Sequence, residues 1–137
     1  MTDDQATTPT ETVRQFLRLV EARDLEAAAT FLGPDLEITF PGGRVFTTLE
    51  QQVESSGGRF RHVRKNFERF DVVVANDADD PVVVYAFGTL SGEGLDGAAF
   101  EGVRFIDRFT LRAGKIVDQK VWNDLAEQGI VPGSRLS

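Results

Sequence analysis

The chain of 137 residues has no cysteine, and histidine, tryptophan, tyrosine and methionine occur once each. The absence of cysteine excludes disulfides, thiolate nucleophiles and cysteine-ligated metals. A single histidine with no nearby pair of carboxylates argues against a transition-metal site. Acidic residues outnumber basic ones by 22 to 15, which gives a formal net charge of -7. Nucleic acid is therefore a poor partner, because phosphate contacts need a basic face.

Long apolar runs are also missing, since none approaches the roughly 20 residues of a membrane span. The polar, acidic start MTDDQATTPT is not that of a secretory signal. These features predict a cytoplasmic protein with no membrane partner. The length suits one domain. We expect a flexible tail over residues 1–8, a domain over 9–125 and a C-terminal tail over 126–137.

Helix starts are marked by N-capping residues. The stretches Thr8–Glu11 and Thr48–Gln51 each match a capping box and predict a helix that begins there. Between them, Asp24 is suited to cap a shorter helix over residues 25–32, which Gly33-Pro34 would end.

Strand patterns fill the rest of the chain. Leu36–Phe40 alternates apolar and polar residues, and Arg44–Thr47 is a candidate returning strand. Longer strands are predicted over residues 67–75, 82–90, 98–112 and 115–123. Residues 59–66 fit either state. Early helices and late strands predict an α+β fold in which about three helices lie on one face of an antiparallel sheet. Because Val72–Val74 and Val82–Val84 are apolar on both faces, we expect a second copy to cover the outer face.

This arrangement resembles the nuclear transport factor 2-like superfamily, and within it the SnoaL-like group. The residues that suggest it are Val13-Arg14-Gln15-Phe16, Arg23-Asp24-Leu25, Phe31-Leu32 and the final hairpin FIDRFTLRAGKIVDQKVWND. The resemblance covers about residues 9–125. It implies a strongly curved sheet wrapped around the helices, a cone-shaped internal pocket, and a homodimer formed through the outer sheet face.

Ketosteroid isomerases of this superfamily carry an oxyanion-donating carboxylic acid in an Ile-Asp-His-Phe stretch. Residues 106–109, Ile-Asp-Arg-Phe, resemble it and imply that Asp107 points into the pocket. The isomerase tyrosine falls at Phe16 and its general base at Phe40, so both groups are missing. A missing oxyanion donor costs on the order of 10²–10³ in rate, and a missing base normally abolishes proton transfer. Ketosteroid isomerase activity is therefore argued against.

Epoxide hydrolases of the superfamily give a similar result. Their essential aspartate falls at Val121, and the other two members of their water-activating trio fall near Tyr85 and Phe87. None of these three side chains can replace the missing groups, so this activity is also argued against.

Asp107 is the main candidate for chemistry. Strand alternation places it on one face with Phe105 and Phe109. The family comparison turns Val117, Gln119, Val121 and Asn123 inward on the last strand. The expected ligand-binding residues are Phe16, Phe40, Tyr85, Phe87, Phe105 and Asn123. Asp107 would be an acid with a raised pKa. The alternative is a structural carboxylate paired with Arg104 or Arg108, or hydrogen-bonded to Asn123.

Other polar features are weaker candidates. His62 is a distant second acid/base group, because Arg59, Arg61, Arg64 and Lys65 surround it and a solvated residue fits better. The acidic run Asn76–Pro81 lacks the spacing of a calcium loop and fits a hairpin tip. Trp122 should face away from the pocket and pack in the core or a dimer.

Together these features predict a protein that binds a small apolar, carbonyl-bearing metabolite in an internal pocket. Asp107 would catalyse isomerase-, cyclase- or dehydratase-type acid/base chemistry without a cofactor. The alternative is a non-catalytic ligand-binding or dimerisation module, because the other catalytic residues of characterised relatives are missing.

Overall fold

The computed structural model describes residues 8–74 and 81–131. The helices are α1 (Pro9–Glu21), α2 (Leu25–Ala29) and α3 (Leu49–Gly57). The strands are β1 (Leu32–Phe40), β2 (Arg44–Phe46), β3 (Phe60–Val74), β4 (Val82–Gly94), β5 (Ala99–Arg112) and β6 (Lys115–Asn123). Predictions on the N-terminal tail before Thr8, on the acidic turn at 76–80 and on residues 132–137 lie outside the described residues.

The three predicted helix starts are confirmed. Thr8, Asp24 and Thr48 each accept a hydrogen bond from the backbone N–H three residues further on, at 3.1, 3.3 and 3.1 Å. The predicted end of the second helix is wrong, because α2 stops at Ala29 and Leu32 already belongs to β1. Leu32 pairs there with Ile116 of β6, so tertiary pairing overrides the local helical spacing.

The described strands form one six-stranded sheet in the order β2-β1-β6-β5-β4-β3. Neighbouring strands are antiparallel, except that β1 and β6 run parallel. A parallel pair needs a long connection, and here all elements from β2 to β5 lie between its two strands. The sheet is curved, and with the three helices it confirms the predicted α+β class.

Residues 59–66, left open between helix and strand, belong mainly to β3, which begins at Phe60. The β3–β4 pairing shifts register between Phe67 and Arg69. Gly88 of β4 faces this bulge, and a Cβ built on it would lie 2.0 Å from the backbone oxygen of Asn66. Only glycine therefore allows the two backbones to approach so closely.

A second irregularity lies between β5 and β6, where the pairing shifts between Thr110 and Leu111. Ile116 is buried as a result, whereas Val117 is only partly buried. The prediction that Val117 shares the inward face with Gln119 and Val121 is therefore wrong by one residue at the start of β6.

Two apolar clusters fill the space under the sheet. One lies where α1 and α2 pack on the sheet and includes Phe16, Ile38 and Phe109. The other lies at the opposite end and includes Leu125 and Val131, which are 5% and 6% exposed. Val131, which lies beyond residue 125, thus contributes to the core. The boundary of the domain at residue 125 stays a prediction. Within the described ranges, no helix has the length and apolar character needed to cross a bilayer.

Candidate functional site

Asp107 lies in the middle of β5 on the concave face of the sheet, the face covered by the helices. It is completely buried, with 0% of its surface exposed. Ala86 of β4 and Val121 of β6 lie directly opposite it on the neighbouring strands. Buried residues alternate along β5 through Phe105, Asp107 and Phe109, as the sequence pattern indicated. Strand geometry therefore places a carboxyl group among apolar side chains.

A lysine, Lys65 of β3, is the charged partner of this carboxyl group. Its Nζ lies 3.1 Å from Oδ2 of Asp107 and 4.6 Å from the centre of the Phe105 ring. The close contact lacks the alignment of a hydrogen bond, so among the described residues neither oxygen of Asp107 has a hydrogen-bond donor. Burial raises the pKa of Asp107, and the neighbouring Lys65 opposes part of that rise.

Helix α1 holds Lys65 in place through the backbone of β3, an edge strand. The Lys65 N–H donates to Glu21 Oε2 at 2.8 Å, and its carbonyl accepts from Arg18 Nη1 at 3.0 Å. Arg18 and Glu21 also pair with each other at 2.9 Å. Between β3 and β5, strand β4 presents Ala86 and Gly88 on this face, and these small residues leave room for the lysine to cross.

A pocket of about 760 Å³ opens beside this pair. Its concave wall includes Phe16, Phe40, Lys65, Phe105, Gln119 and Asn123. Its boundary also reaches Ile106 and Trp122 on the convex face, so the concave interior holds only part of that volume. Asp107 faces inward, but the expectation that it points into the pocket is wrong, because Lys65 and Phe105 border the pocket and Asp107 does not. The carboxyl group therefore lies directly behind the pocket wall.

Four of the predicted ligand-binding residues border the concave part of this pocket: Phe16, Phe40, Phe105 and Asn123. Phe87 touches the pocket boundary only from the convex face, where it lies opposite Ile106, so its expected place beside Asp107 is wrong. Phe16 also packs edge-to-face on Phe109, with ring centres 6.2 Å apart. Asn123 lies opposite Phe105 and not opposite Asp107. Its Oδ1 accepts a hydrogen bond from the Leu125 N–H at 3.1 Å, so it anchors the segment that follows β6.

Tyr85 is not in the predicted place. In the β4–β5 register Ala86 faces Asp107 and Tyr85 faces Arg108, so Tyr85 lies on the convex face. There its hydroxyl accepts from Arg108 Nε at 3.3 Å, and its ring stacks on Phe87 at 6.3 Å. The expectation that Tyr85 lines the pocket with Asp107 is wrong because alternation turns it to the other side.

His62 is exposed on β3 and lies opposite Glu93. No ion pair or hydrogen bond of the described residues joins His62 to Asp107. Neither of the arginines considered as a partner for Asp107 takes that role. Arg104 pairs with Asp124 at 2.6 Å, and Arg108 lies 4.0 Å from Asp118 on the convex face. No three His, Cys, Asp or Glu side chains come together within the described ranges to form a metal site.

Lys65 is the site residue that sequence reasoning missed. It had been counted only among the cations around His62. The signal lay in Val63-Arg64-Lys65-Asn66-Phe67, whose alternation places Lys65 on the same face as two apolar residues once the segment is a strand. Because the sequence of residues 59–66 fits either a helix or a strand, it does not by itself indicate which face Lys65 occupies.

A curved sheet, helices on its concave side and a pocket between them define the nuclear transport factor 2-like class. Within it, a family model for SnoaL-like domains matches residues 13–119, and the chain belongs to that family. A search of curated proteins gives no match.

Solved structures resemble the chain in fold. TerC co-crystallised with polyporic acid is 20% identical with a TM-score of 0.73, covering 92% of this chain and 100% of that one. An NTF2-like protein of unknown function from Burkholderia pseudomallei is 16% identical with a TM-score of 0.74, covering 94% and 100%. A protein from Jannaschia sp., named as a SnoaL-like polyketide cyclase, is 20% identical with a TM-score of 0.65, covering 98% and 100%. At these identities the likeness shows the fold alone.

Proposed function

We propose that the protein binds a small, mainly apolar, carbonyl-bearing metabolite in the concave pocket and catalyses cofactor-independent acid/base chemistry through Asp107. The observation that carries the proposal is a fully buried carboxyl group without a described hydrogen-bond donor, directly behind the pocket wall. Buried polar groups are normally hydrogen-bonded, so an ordered water between Asp107 and the ligand is a fitting partner. The likeness to TerC, co-crystallised with polyporic acid, supports small-molecule binding.

The chemistry follows from the surroundings of Asp107. Burial raises the pKa of this carboxyl group, so it keeps its proton at pH values at which an exposed aspartate has lost it. Because Asp107 does not border the pocket, its proton would pass to or from the ligand through an ordered water. By that route the neutral acid can protonate a carbonyl oxygen, and the carboxylate can accept the proton of an adjacent carbon. Phe105 and Phe16 supply an apolar wall beside it. The reaction types that fit are isomerisation, cyclisation and dehydration.

Exchange of acidic C–H protons tests this proposal without knowledge of the natural substrate. Incubated in D₂O with 2-tetralone and related cyclic ketones, the protein should speed α-proton exchange, which proton NMR follows as loss of signal. Asp107→Asn should lower the enzymatic rate by about 10²–10⁴, the usual range of acid/base catalysis. The matched control is Asp118→Asn on the convex face, which should keep the rate. Equal rates with and without protein would reject the catalytic role.

A second candidate function is non-catalytic ligand binding. It is favoured by the contact between Lys65 and Asp107, because a carboxylate paired with a lysine can be purely structural. The phenyl rings of Phe16 and Phe40, where relatives carry catalytic groups, point the same way. Tight ligand binding without turnover by the wild type would support this alternative.

We further propose that two copies pair through the convex face. Phe87, Ile106 and Trp122 lie side by side there across three strands, and Ile106 and Trp122 are 38% and 50% exposed. Exposed apolar patches often mark interaction surfaces. Light scattering should show a dimer for the wild type and a monomer for Trp122→Glu. A monomeric wild type at micromolar concentration would contradict the proposal.

A further inference from the structure

We infer that Lys65 binds the reacting oxygen of the ligand, and that the ligand presents this oxygen as an enolate or phenolate on a flat apolar skeleton. The inference rests on the proposed pocket and names the class of molecule that fits it. It stands on the arrangement of Lys65 and Asp107 relative to the pocket.

The pair presents its positive end to the pocket. Lys65 and Phe105 border the pocket, whereas Asp107 lies behind them with no exposed surface. A ligand thus meets Lys65 before it meets the carboxyl group. An anion there gains from a nearby cation in surroundings poorer in water than bulk solvent, where charge interactions are strengthened.

The ammonium group also has donors left for a ligand. A lysine carries three N–H donors. The described contacts of Nζ are the ion pair with Asp107 at 3.1 Å and the face of Phe105 at 4.6 Å, and neither is an aligned hydrogen bond. An oxygen anion bound at Nζ would accept a hydrogen bond from one of these N–H groups. Charge-assisted hydrogen bonds of this kind are short and strong.

Contacts with helix α1 hold Lys65 in a fixed position, unlike a lysine on an open surface. Glu21 and Arg18 bind the N–H and the carbonyl of Lys65 at 2.8 and 3.0 Å. The lysine side chain is only 16% exposed. Fixing the backbone at the sheet edge lowers the cost of holding the ammonium group at the pocket wall. Arg18 and Glu21 are therefore positioning residues that act through Lys65.

The rest of the wall selects the skeleton that carries the anion. Phe16, Phe40 and Phe105 border the pocket with Val121, and their rings suit a flat conjugated molecule. Such molecules include the enolates of cyclic 1,3-dicarbonyls and the phenolates of fused rings, whose negative charge is delocalised and cheap to desolvate. An aliphatic carboxylate would match the cation but not the aromatic wall.

A pair of ligands that differ only in charge tests the inference. 4-Hydroxycoumarin is an enolate near neutral pH, and 4-methoxycoumarin has the same skeleton without the charge. Calorimetry on the full-length protein should give an affinity at least about tenfold higher for the enolate, as expected for a charge-assisted hydrogen bond. Equal affinities, or no binding of either compound at millimolar concentration, would overturn the inference.

Three variants identify the cation responsible. Lys65→Met should abolish the preference for the enolate, and Lys65→Arg, which keeps the charge, should retain part of it. Arg44→Met removes another cation that borders the pocket, stacked 5.7 Å from the Phe40 ring, and should leave the preference unchanged. A preference lost in Arg44→Met but kept in Lys65→Met would also overturn the inference. If Lys65→Met does not fold, Lys65→Gln replaces it.

The result can be told apart from that of the proposed acid/base function. An enolate preference that depends on Lys65, without proton exchange in ketones, would uphold the binding site and reject catalysis. Exchange that depends on Asp107, without any charge preference, would uphold catalysis and reject the role of Lys65.

Discussion

Asp107 and Arg108 are neighbours in β5, yet their side chains lie in opposite surroundings. On the concave face, Asp107 is completely buried and touches one cation, Lys65, without an aligned hydrogen bond. On the convex face, Arg108 is about one-third exposed and reaches Tyr85, Thr110 and Asp118 at 3.3–4.0 Å. Strand alternation alone gives Arg108 several partners and access to water. It gives Asp107 a single charged partner and no access to water.

This difference decides what each ion pair is worth. An exposed pair gains little, typically 0–1 kcal/mol, because water screens it and offers alternative partners. A buried pair is not strongly stabilising in total, but removing one of its partners leaves a charge without compensation. The concave pair should therefore be sensitive to single substitutions, and the convex network should tolerate them.

The largest predicted effect comes from removing the buried cation. Lys65→Met should lower the free energy of unfolding by about 3–5 kcal/mol at a pH at which Asp107 is ionised, because Asp107 then lacks its only described ion-pair partner. Lys120→Met is the matched control, since Lys120 Nζ contacts Asp118 at 3.2 Å on the convex face. It should cost less than about 1 kcal/mol. Urea unfolding measures both variants, and a similar cost for the two would contradict the comparison.

A smaller loss of stability is expected from substitution of Gly88. The side chain of Lys65 passes over β4 on its way to Asp107, so the residue at position 88 must be small. In Gly88→Ala the new Cβ would meet the backbone oxygen of Asn66 at 2.0 Å. The bulge in β3 must then shift, at a cost of about 1–3 kcal/mol.

The control for this substitution is Gly57→Ala at the end of α3, where nothing lies within 4 Å of the added Cβ. Alanine should be neutral there or stabilise the helix by about 0.5–1 kcal/mol. Thermal unfolding of both variants checks the sign. Equal stability of the two alanine variants would mean that the β3–β4 approach at Gly88 relaxes freely.

The contrast between the faces also shows how far the sequence could be read. Periodicity and capping predicted the helix starts and the final hairpin with β6 over 115–123, because each depends on residues close in the chain. Alternation placed Asp107 on one face with Phe105 and Phe109, and the family resemblance implied that this face is the inward one. The partner of Asp107 could not be predicted in this way. Lys65 lies 42 positions earlier, and the β3–β4 pairing that brings it close contains a bulge that no local pattern marks.

The error at Tyr85 has the same origin. The family correspondence that puts Tyr85 in the pocket carries no information on the register of β4 against β5. A strand shifted by one residue turns every side chain to the other face. The pairing of Ala86 with Asp107 is what settles the face of Tyr85, and that pairing is a long-range property of the sheet.

The smallest predicted effect is a pH dependence confined to the concave face. Burial raises the pKa of Asp107 above its ordinary value of 3.8 in the unfolded chain. Between the pKa of Asp107 in the unfolded chain and its higher pKa in the folded protein, the folded state binds more protons than the unfolded state. The free energy of unfolding therefore falls as pH rises, by at most about 1.4 kcal/mol per pH unit. The contribution is fully present below pH 3.8 and is lost as pH rises through the folded pKa.

Asp107→Asn removes this titration while keeping the shape of the side chain. Unfolding free energies measured from pH 4 upward should show the wild type losing stability relative to Asp107→Asn as pH rises. In Lys65→Met the loss should continue to higher pH, because the cation that opposes the rise in the Asp107 pKa is gone. Parallel pH curves for wild type and Asp107→Asn would mean that Asp107 has the same pKa folded and unfolded, and that its burial does not perturb it.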